Sequence, residues 1–366
     1  MLEKLKNILV ICMTAIFLFG FAVWSILKPV DKESVSERRA LAGFPEFGYK
    51  SVLTGEFMTD FEKYTLDQFP LRDRFRTVKA VTVFYFLNQK DNNDIYIKDG
   101  YASKLEYPVN LDSLEYAAKR FQFVYDKYIS GSSGKVYLCV IPDKNYFMAE
   151  ANGYPSMDYE TLISQVKQKT EFAEYIDISH LLELSDYYAT DTHWRQEEIG
   201  DVAEYIAEKM NVVLSAEYTK KEAEVPFYGV YYGQSALPLP ADKLYYLEND
   251  MLKECRVYDY ETNAEISVYD MEKLKGDDLY ELFLSGSKSL LTIENPKAST
   301  DREMILFRDS FGSSIAPLLT EGYTKITLVD IRYISPNILD RFIEFDNQDV
   351  LFLYSASVLN NSITIK

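Results

Sequence analysis

The chain is poor in the side chains that most often carry chemistry: 366 positions hold two histidines, three cysteines and two tryptophans. Three cysteines are too few for a disulfide framework. Cys12 lies in an N-terminal apolar run, which leaves Cys139 and Cys255 as the only pair that could bridge. No Cys-x-x-Cys spacing occurs, so a structural zinc site is not expected. Positive charge is scarce as well. A formal net charge of -18 argues against nucleic acid and anionic membrane surfaces as partners, because an acidic surface repels phosphate instead of releasing its counterions. Internal repeats, low-complexity blocks and the glycine-rich phosphate loops of Walker or Rossmann type are absent, and no cofactor is expected.

What is present is a chain that can bury a core, 47% apolar, with 30 tyrosines and 22 phenylalanines. Residues 8–27, "ILVICMTAIFLFGFAVWSIL", contain no charged side chain, and a run of about 20 such residues is what crossing a bilayer as a helix requires. Lys4 and Lys6 precede it, which predicts a cytoplasmic tail and an exported C-terminal part, although Lys28 and Lys32 follow the run and weaken the bias. A cleaved signal peptide is the alternative. The run is long for one, and no small-x-small site follows it, so an uncleaved single-pass anchor is expected. The expected division is an anchor over residues 1–30, a tether and helical leader over 31–84, and one domain over 85–366.

Within the leader, Phe57, Phe61, Tyr64 and Leu66 recur at near-helical spacing, break at Pro70, and resume with Phe75, Val78 and Val81, predicting two helices. "DIYIKDG" reads as a strand ending in a turn at Asp99 and Gly100. Helical patterns then alternate with apolar runs. "KVYLCVIP" is continuous in the manner of a strand buried on both faces, and "YIDISHLL" is a short strand. Residues 211–300 turn aromatic and β-branched, and "VPFYGVYYG" and its neighbours suggest a β-rich insertion. The pattern resumes with "EMILFRDS", "KITLVDI" and "DVLFLYSASVL" as strands, for an α/β fold.

Two short segments could carry chemistry. In "TDTHW", Asp191 and His193 at i and i+2 point the same way if the segment is extended, so the carboxylate can take the Nδ1 proton while Nε2 faces a nucleophile. The same pair could ligate a metal, but the one other imidazole, His180, lies in "DISHLLEL", where an ordinary packed histidine is the simpler reading. In "LFRDSFGSS", Ser310 sits where an apolar strand gives way to a helix. There a hydroxyl can be a nucleophile beside unpaired N–H groups, or simply a helix cap.

"TDTHW" followed by a helix, with "RDSF" well downstream, resembles the DHHW proteins and their relatives, the SGNH-hydrolase-like domains of alginate O-acetyltransferase proteins. "SERRALAGFPEF", "GEFMTDFEKYTLDQFPLRDRF", "DIYIKDG", "VIPDKN" and "LVDIRY" extend the likeness over nearly everything after the apolar run. The resemblance implies a flavodoxin-like parallel sheet flanked by helices, with Asp191 orienting, His193 as general base and acid, and Ser310 as the nucleophile that becomes acetylated. The order Asp, His, Ser is circularly permuted relative to ordinary SGNH hydrolases, in which Ser comes first. It further implies O-acetyl transfer or removal on a polysaccharide outside the membrane, with a membrane-bound acyltransferase as a possible partner. Two features depart from that pattern. Arg308 stands where Gly-Asp-Ser has glycine, and no Gly-x-Asn-Asp block supplies an oxyanion asparagine, so Arg332, Tyr333 and Ser355 are the candidate substitutes. Trp194, Tyr228 and Tyr232 could line a sugar cleft or pack in the core. A non-catalytic glycan-binding or scaffold protein retaining the fold is the reading from another class.

Overall fold

The computed structural model describes residues 2–366, a mixed α/β chain with one large sheet and one apolar N-terminal helix. It divides into two compact units: residues up to 93 together with 232–238, and residues 94–231 together with 239–366.

The first unit begins with helix α1 (Leu2–Leu27), which from Glu3 to Leu27 is long and apolar enough to cross a membrane or to serve as a signal sequence. Helices α2 (Glu56–Asp67) and α3 (Arg72–Val81) follow, separated near Pro70. Asp67 of α2 and Arg72 and Arg76 of α3 point inward and pair with the segment after α1. Glu37 meets Arg72 at 2.5 Å and Arg76 at 3.2 Å, and Asp67 meets Arg39 at 2.6 Å. The hydrogen bonds from Arg39 outweigh burial and hold the Asp67 carboxyl down to about 2, so this carboxylate is ionised at any ordinary pH. Arg76 also donates to the Gly233 carbonyl at 2.9 Å, tying in the 232–238 segment.

The second unit is built on eight strands: β1 (Val136–Ile141), β2 (Glu174–Ile176), β3 (Arg256–Asp259), β4 (Ala264–Ile266), β5 (Leu290–Glu294), β6 (Glu303–Arg308), β7 (Lys325–Val329) and β8 (Asp349–Ser355). Their spatial order is β4-β3-β5-β7-β6-β8-β1-β2. The five strands from β7 to β2 are parallel, and β5, β3 and β4 extend the sheet antiparallel beside β7. The continuous apolar runs follow from burial on both faces. Tyr137, Cys139 and Ile141 of β1 point into one core with Leu306 and Leu353, while Val136, Leu138 and Val140 point into the other with Phe307 and Phe352. Helices α6 (Gly200–Lys209) and α7 (Gly312–Leu319) cover the first face, and α4 (Leu111–Val124) and α5 (Tyr159–Lys169) the second. Cys139 is buried in the sheet and Cys255 half-buried beside it, and both thiols are free.

Two stretches differ in detail from their sequence patterns. "VPFYGVYYG", whose composition suggests β structure, is strand only in its first part. Thr219–Phe227 pairs with Asp242–Glu248 as a hairpin, and then Val230–Ser235 turns helical. The reason is tertiary: the Tyr231 N–H donates to the Thr190 carbonyl and the Val230 N–H to the Asp191 carboxylate, so this helix start is held by the Asp-x-His loop. The Asp191–His193 segment is likewise not an extended strand but part of a compact loop.

Candidate active site

That loop is closed by an antiparallel bridge between Tyr187 and Trp194 and by the Tyr188 N–H donating to the His193 carbonyl at 3.1 Å. Inside it, Asp191 Oδ1 accepts the His193 N–H at 3.1 Å, an Asx turn that folds the carboxylate back under the imidazole. The two side chains therefore converge through a turn and not through the extended backbone that would also bring an i, i+2 pair to one side. Asp191 Oδ1 lies 2.6 Å from His193 Nδ1, and His193 Nε2 lies 2.8 Å from Ser310 Oγ. A buried carboxylate facing Nδ1 requires the proton there, which leaves Nε2 as the acceptor for the serine hydroxyl. Asp191 is fully buried and His193 is 7% exposed.

Ser310 stands in the turn between β6 and α7. The turn is fixed by Asp309, whose carboxylate accepts the Phe311 N–H at 3.0 Å and the Ser355 N–H at 2.8 Å, spanning the C-terminal ends of β6 and β8. The Gly312 N–H goes to the Asp309 carbonyl and the Ser313 N–H to the Ser310 carbonyl. The Ser310 N–H is not part of this set.

Histidine loop and serine helix are joined by two further side chains. Trp194 Nε1 donates to Ser314 Oγ at 2.8 Å, and Gln196 Nε2 donates to the Ser314 carbonyl at 2.7 Å. Trp194 is fully buried, the packed alternative of its two readings: its ring packs edge-on to Phe311 and its N–H clamps α7. Tyr280 completes the arrangement. Its ring lies parallel to the His193 imidazole, with centroids 3.8 Å apart and 8° between planes, and its hydroxyl donates to Ser314 Oγ at 2.8 Å. An electron-rich face there favours an imidazolium when one forms.

The loop is braced from three sides. Asp242 accepts the Ala189 and Thr190 N–H groups, each at 2.8 Å. Gly229 packs against Asp191 so closely that a Cβ on it would fall 2.3 Å from the Asp191 Cβ. Lys144, almost wholly buried, donates to the carbonyls of Tyr188 at 2.9 Å and Ala189 at 3.2 Å and lies 5.0 Å from the Tyr231 ring centroid. Burial lowers the Lys144 ammonium to about 7 against the opposing pull of Asp191, Asp242 and Asp143. Of these residues Lys144 lies in the quoted "VIPDKN" stretch, whereas Gly229, Asp242 and Tyr280 carried no signal in one dimension.

The remaining candidates fall elsewhere. Arg332 is gripped by Asp330, with Nε to Oδ1 at 2.9 Å and Nη2 to Oδ2 at 2.6 Å; burial opposes its charge, but these bonds hold the guanidinium above its ordinary range. Its fork is taken up by that carboxylate. Tyr333 is half exposed against Arg332. Ser355 caps the following helix by accepting the Val358 N–H, so it braces the serine turn through its N–H and not its hydroxyl. Tyr228 is 43% exposed, and Tyr232 is half-buried in the first unit. His180 sits with its ring edge against Tyr205. No cluster of three or more potential metal ligands occurs among the described residues.

Two substitutions test the bracing. Gly229→Ala must push Asp191 aside, and a displacement of about 1 Å at such a site costs on the order of a hundredfold in turnover. The measurement is kcat on an activated ester, with circular dichroism to show a retained fold. Lys144→Met orphans the buried Tyr188 carbonyl, at about 1–3 kcal/mol, while the Ala189 carbonyl keeps the Ala102 N–H at 2.8 Å. It also alters pH dependence. Between pH 7 and 10.5 the unfolded chain holds a proton on Lys144 that the folded chain has released, so this group makes the wild type more stable as pH rises through that window. Denaturation midpoints should show the wild type gaining on Lys144→Met from pH 7 towards pH 10; a constant difference would remove the titration.

No protein-family model matches the sequence, and no curated protein does. Among solved structures, the chain is similar to a DHHW family protein from Eubacterium siraeum, with TM-score 0.59 and 21% identity, over 75% of this chain and 95% of that one. It is also similar to PatB1 of Bacillus cereus carrying a sulfonyl adduct, with TM-score 0.56 and 18% identity, over 72% of this chain and 95% of that one. A second PatB1 structure gives TM-score 0.55. The chain has the fold of the DHHW protein, the family that its Asp-Thr-His-Trp segment resembles.

Proposed function

We propose that the chain is a serine acyl-transfer enzyme that moves or removes O-acetyl groups on an exported or cell-surface polysaccharide. The single observation carrying this reading is the unbroken relay from Asp191 through His193 to Ser310, at 2.6 and 2.8 Å, with His193 and Ser310 117 positions apart. In the proposed reaction Ser310 Oγ attacks the acetyl carbonyl while Nε2 takes its proton. Asp191 and the face of Tyr280 stabilise the imidazolium, which then protonates the departing alcohol. The acetyl group is left on Ser310. A sugar hydroxyl, or water, gives up its proton to Nε2 and attacks the acetyl-serine, restoring the hydroxyl. The Ser310 N–H, outside the turn's own bonds, is the backbone donor for the oxyanion.

Strand order supports the permuted reading. Counted from the serine strand, the parallel strands β7-β6-β8-β1-β2 run 2-1-3-4-5, the flavodoxin order, and Ser310 follows β6 at the switch point between β6 and β8. On this reading residues 1–30 anchor the enzyme as a single pass, 31–84 form the leader, and 85–366 carry the site outside the cytoplasm, with the segment from about 211 to 300 as a β-rich insertion. A membrane-bound acyltransferase is the proposed source of acetyl groups. The buried Arg308 before Asp309 favours a second reading, a glycan-binding scaffold that keeps the fold without turnover.

The test is incubation of the full chain with an aryl acetate, followed by peptide mass spectrometry. The expected result is an acetylated Ser310 peptide, absent in Ser310→Ala, and acetate release slowed about a thousandfold or more in His193→Ala. Saccharide binding that persists in Ser310→Ala, with no adduct in the wild type, selects the scaffold.

A further inference from the structure

Within the leader, helix α3 is turned inside out for a soluble protein. Along α3, Arg72 and Arg76 turn inward to Glu37, with side chains 16% and 15% exposed, while Leu71, Phe75 and Val78 turn outward at 46%, 40% and 63% exposure. A helix facing water shows the opposite pattern, with its apolar stripe on the core. The π-turn after it, Thr82–Phe86, continues the face with Tyr85 and Phe86 exposed at 57% and 77%.

The same face reaches the apolar helix. Phe21 stacks on Phe69 with centroids 5.4 Å apart and 9° between planes, and meets Phe75 edge-on at 5.7 Å. Phe21 lies six residues before Leu27, where α1 ends, and at about 1.5 Å per residue that is roughly 9 Å inside the apolar stretch. Rings in contact with it share its depth. Arg74 and Lys79 are exposed beside the apolar positions, long enough to bury their stems and raise their charges to headgroup phosphates.

We propose that α3 and the turn after it lie in the interfacial zone of the bilayer, apolar side chains in the acyl region, forming with the anchor a two-part membrane foot. The inference rests on the anchor reading of residues 8–27. Net charge of the whole chain does not oppose it, because the acidic excess lies outside this stretch: from Arg72 to Lys90, Arg72 and Arg76 face Glu37, and Arg74, Lys79 and Lys90 stand against Asp73 alone.

The test uses the full chain reconstituted in phosphatidylethanolamine and phosphatidylglycerol vesicles that contain a lipid with a photoactivatable diazirine on its acyl chain. Illumination, digestion and mass spectrometry then map the adducts. The expected result is adducts within residues 69–87 as well as 8–27, with those at 82–87 lost in the triple variant Leu71→Ser, Phe75→Ser, Val78→Ser, which leaves Glu37, Arg72 and Arg76 untouched. Adducts in 8–27 but none in 69–87 overturn the proposal and leave the anchor standing. The same is true if 69–87 stays unlabelled and the reconstituted chain is a stable dimer, which makes the face a contact between copies. Adducts in neither stretch overturn the anchor reading and the foot with it.

Discussion

Everything at the site depends on one contact, His193 Nε2 to Ser310 Oγ at 2.8 Å. A hydrogen bond of this kind is worth about 1 kcal/mol net, while fixing two side chains costs a similar amount of entropy, so the contact cannot hold its own partners together. What holds them is the pair of buried links one layer below. Trp194 and Gln196 both fasten to Ser314, one to its hydroxyl and one to its carbonyl, so the residues next to the histidine grip the helix that starts at the serine. The hydrogen-bonded pair is thereby placed by groups outside it. On the proposed reading such a division suits catalysis, since the His193 and Ser310 atoms would be free to exchange a proton while their backbones stay fixed.

The electrostatics follow from the same packing. Asp191 is buried, yet its oxygens are spent on the His193 ring and N–H and on the Val230 N–H, which keeps the carboxylate hydrogen-bonded away from water. Lys144 contributes a nearby positive charge when protonated and two fixed donors in either state, because a neutral amine still donates to the Tyr188 and Ala189 carbonyls. Loop shape therefore survives the titration of the group that helps to build it.

Some of this was legible in one dimension. "KVYLCVIP" could be assigned to a buried parallel strand because only a strand covered on both faces tolerates apolar residues at every position, and the structure covers both faces of β1. Asp191 and His193 stand out by their i, i+2 spacing in a chain with two histidines, and Ser310 because it ends an apolar run. Val230–Ser235 misled because tyrosine and valine favour strands by propensity, whereas its N–H groups are claimed by a loop some 40 residues earlier, a tertiary fact. Trp194 stays open in one dimension for a related reason: an aromatic beside a histidine has the same letters whether it faces a sugar or a helix. Gly229 shows the limit most directly, since its meaning lies wholly in the backbone it touches.

Arg308 bears on why the serine turn survives without glycine before Asp309. Its side chain is fully buried and runs under the turn, where the missing Cβ of Gly312 makes room: a methyl there would sit 2.6 Å from the Arg308 Cβ. The guanidinium donates to the Asp309 and Lys288 carbonyls, and burial lowers its pKa despite Asp330 nearby. The small residue is still present, moved from one side of the serine to the other, and the backbone contacts that fix Ser310 come from the Asp309 carboxylate, not from position 308. A turn held in that way tolerates a large neighbour on its inner side, provided the next helix begins with glycine.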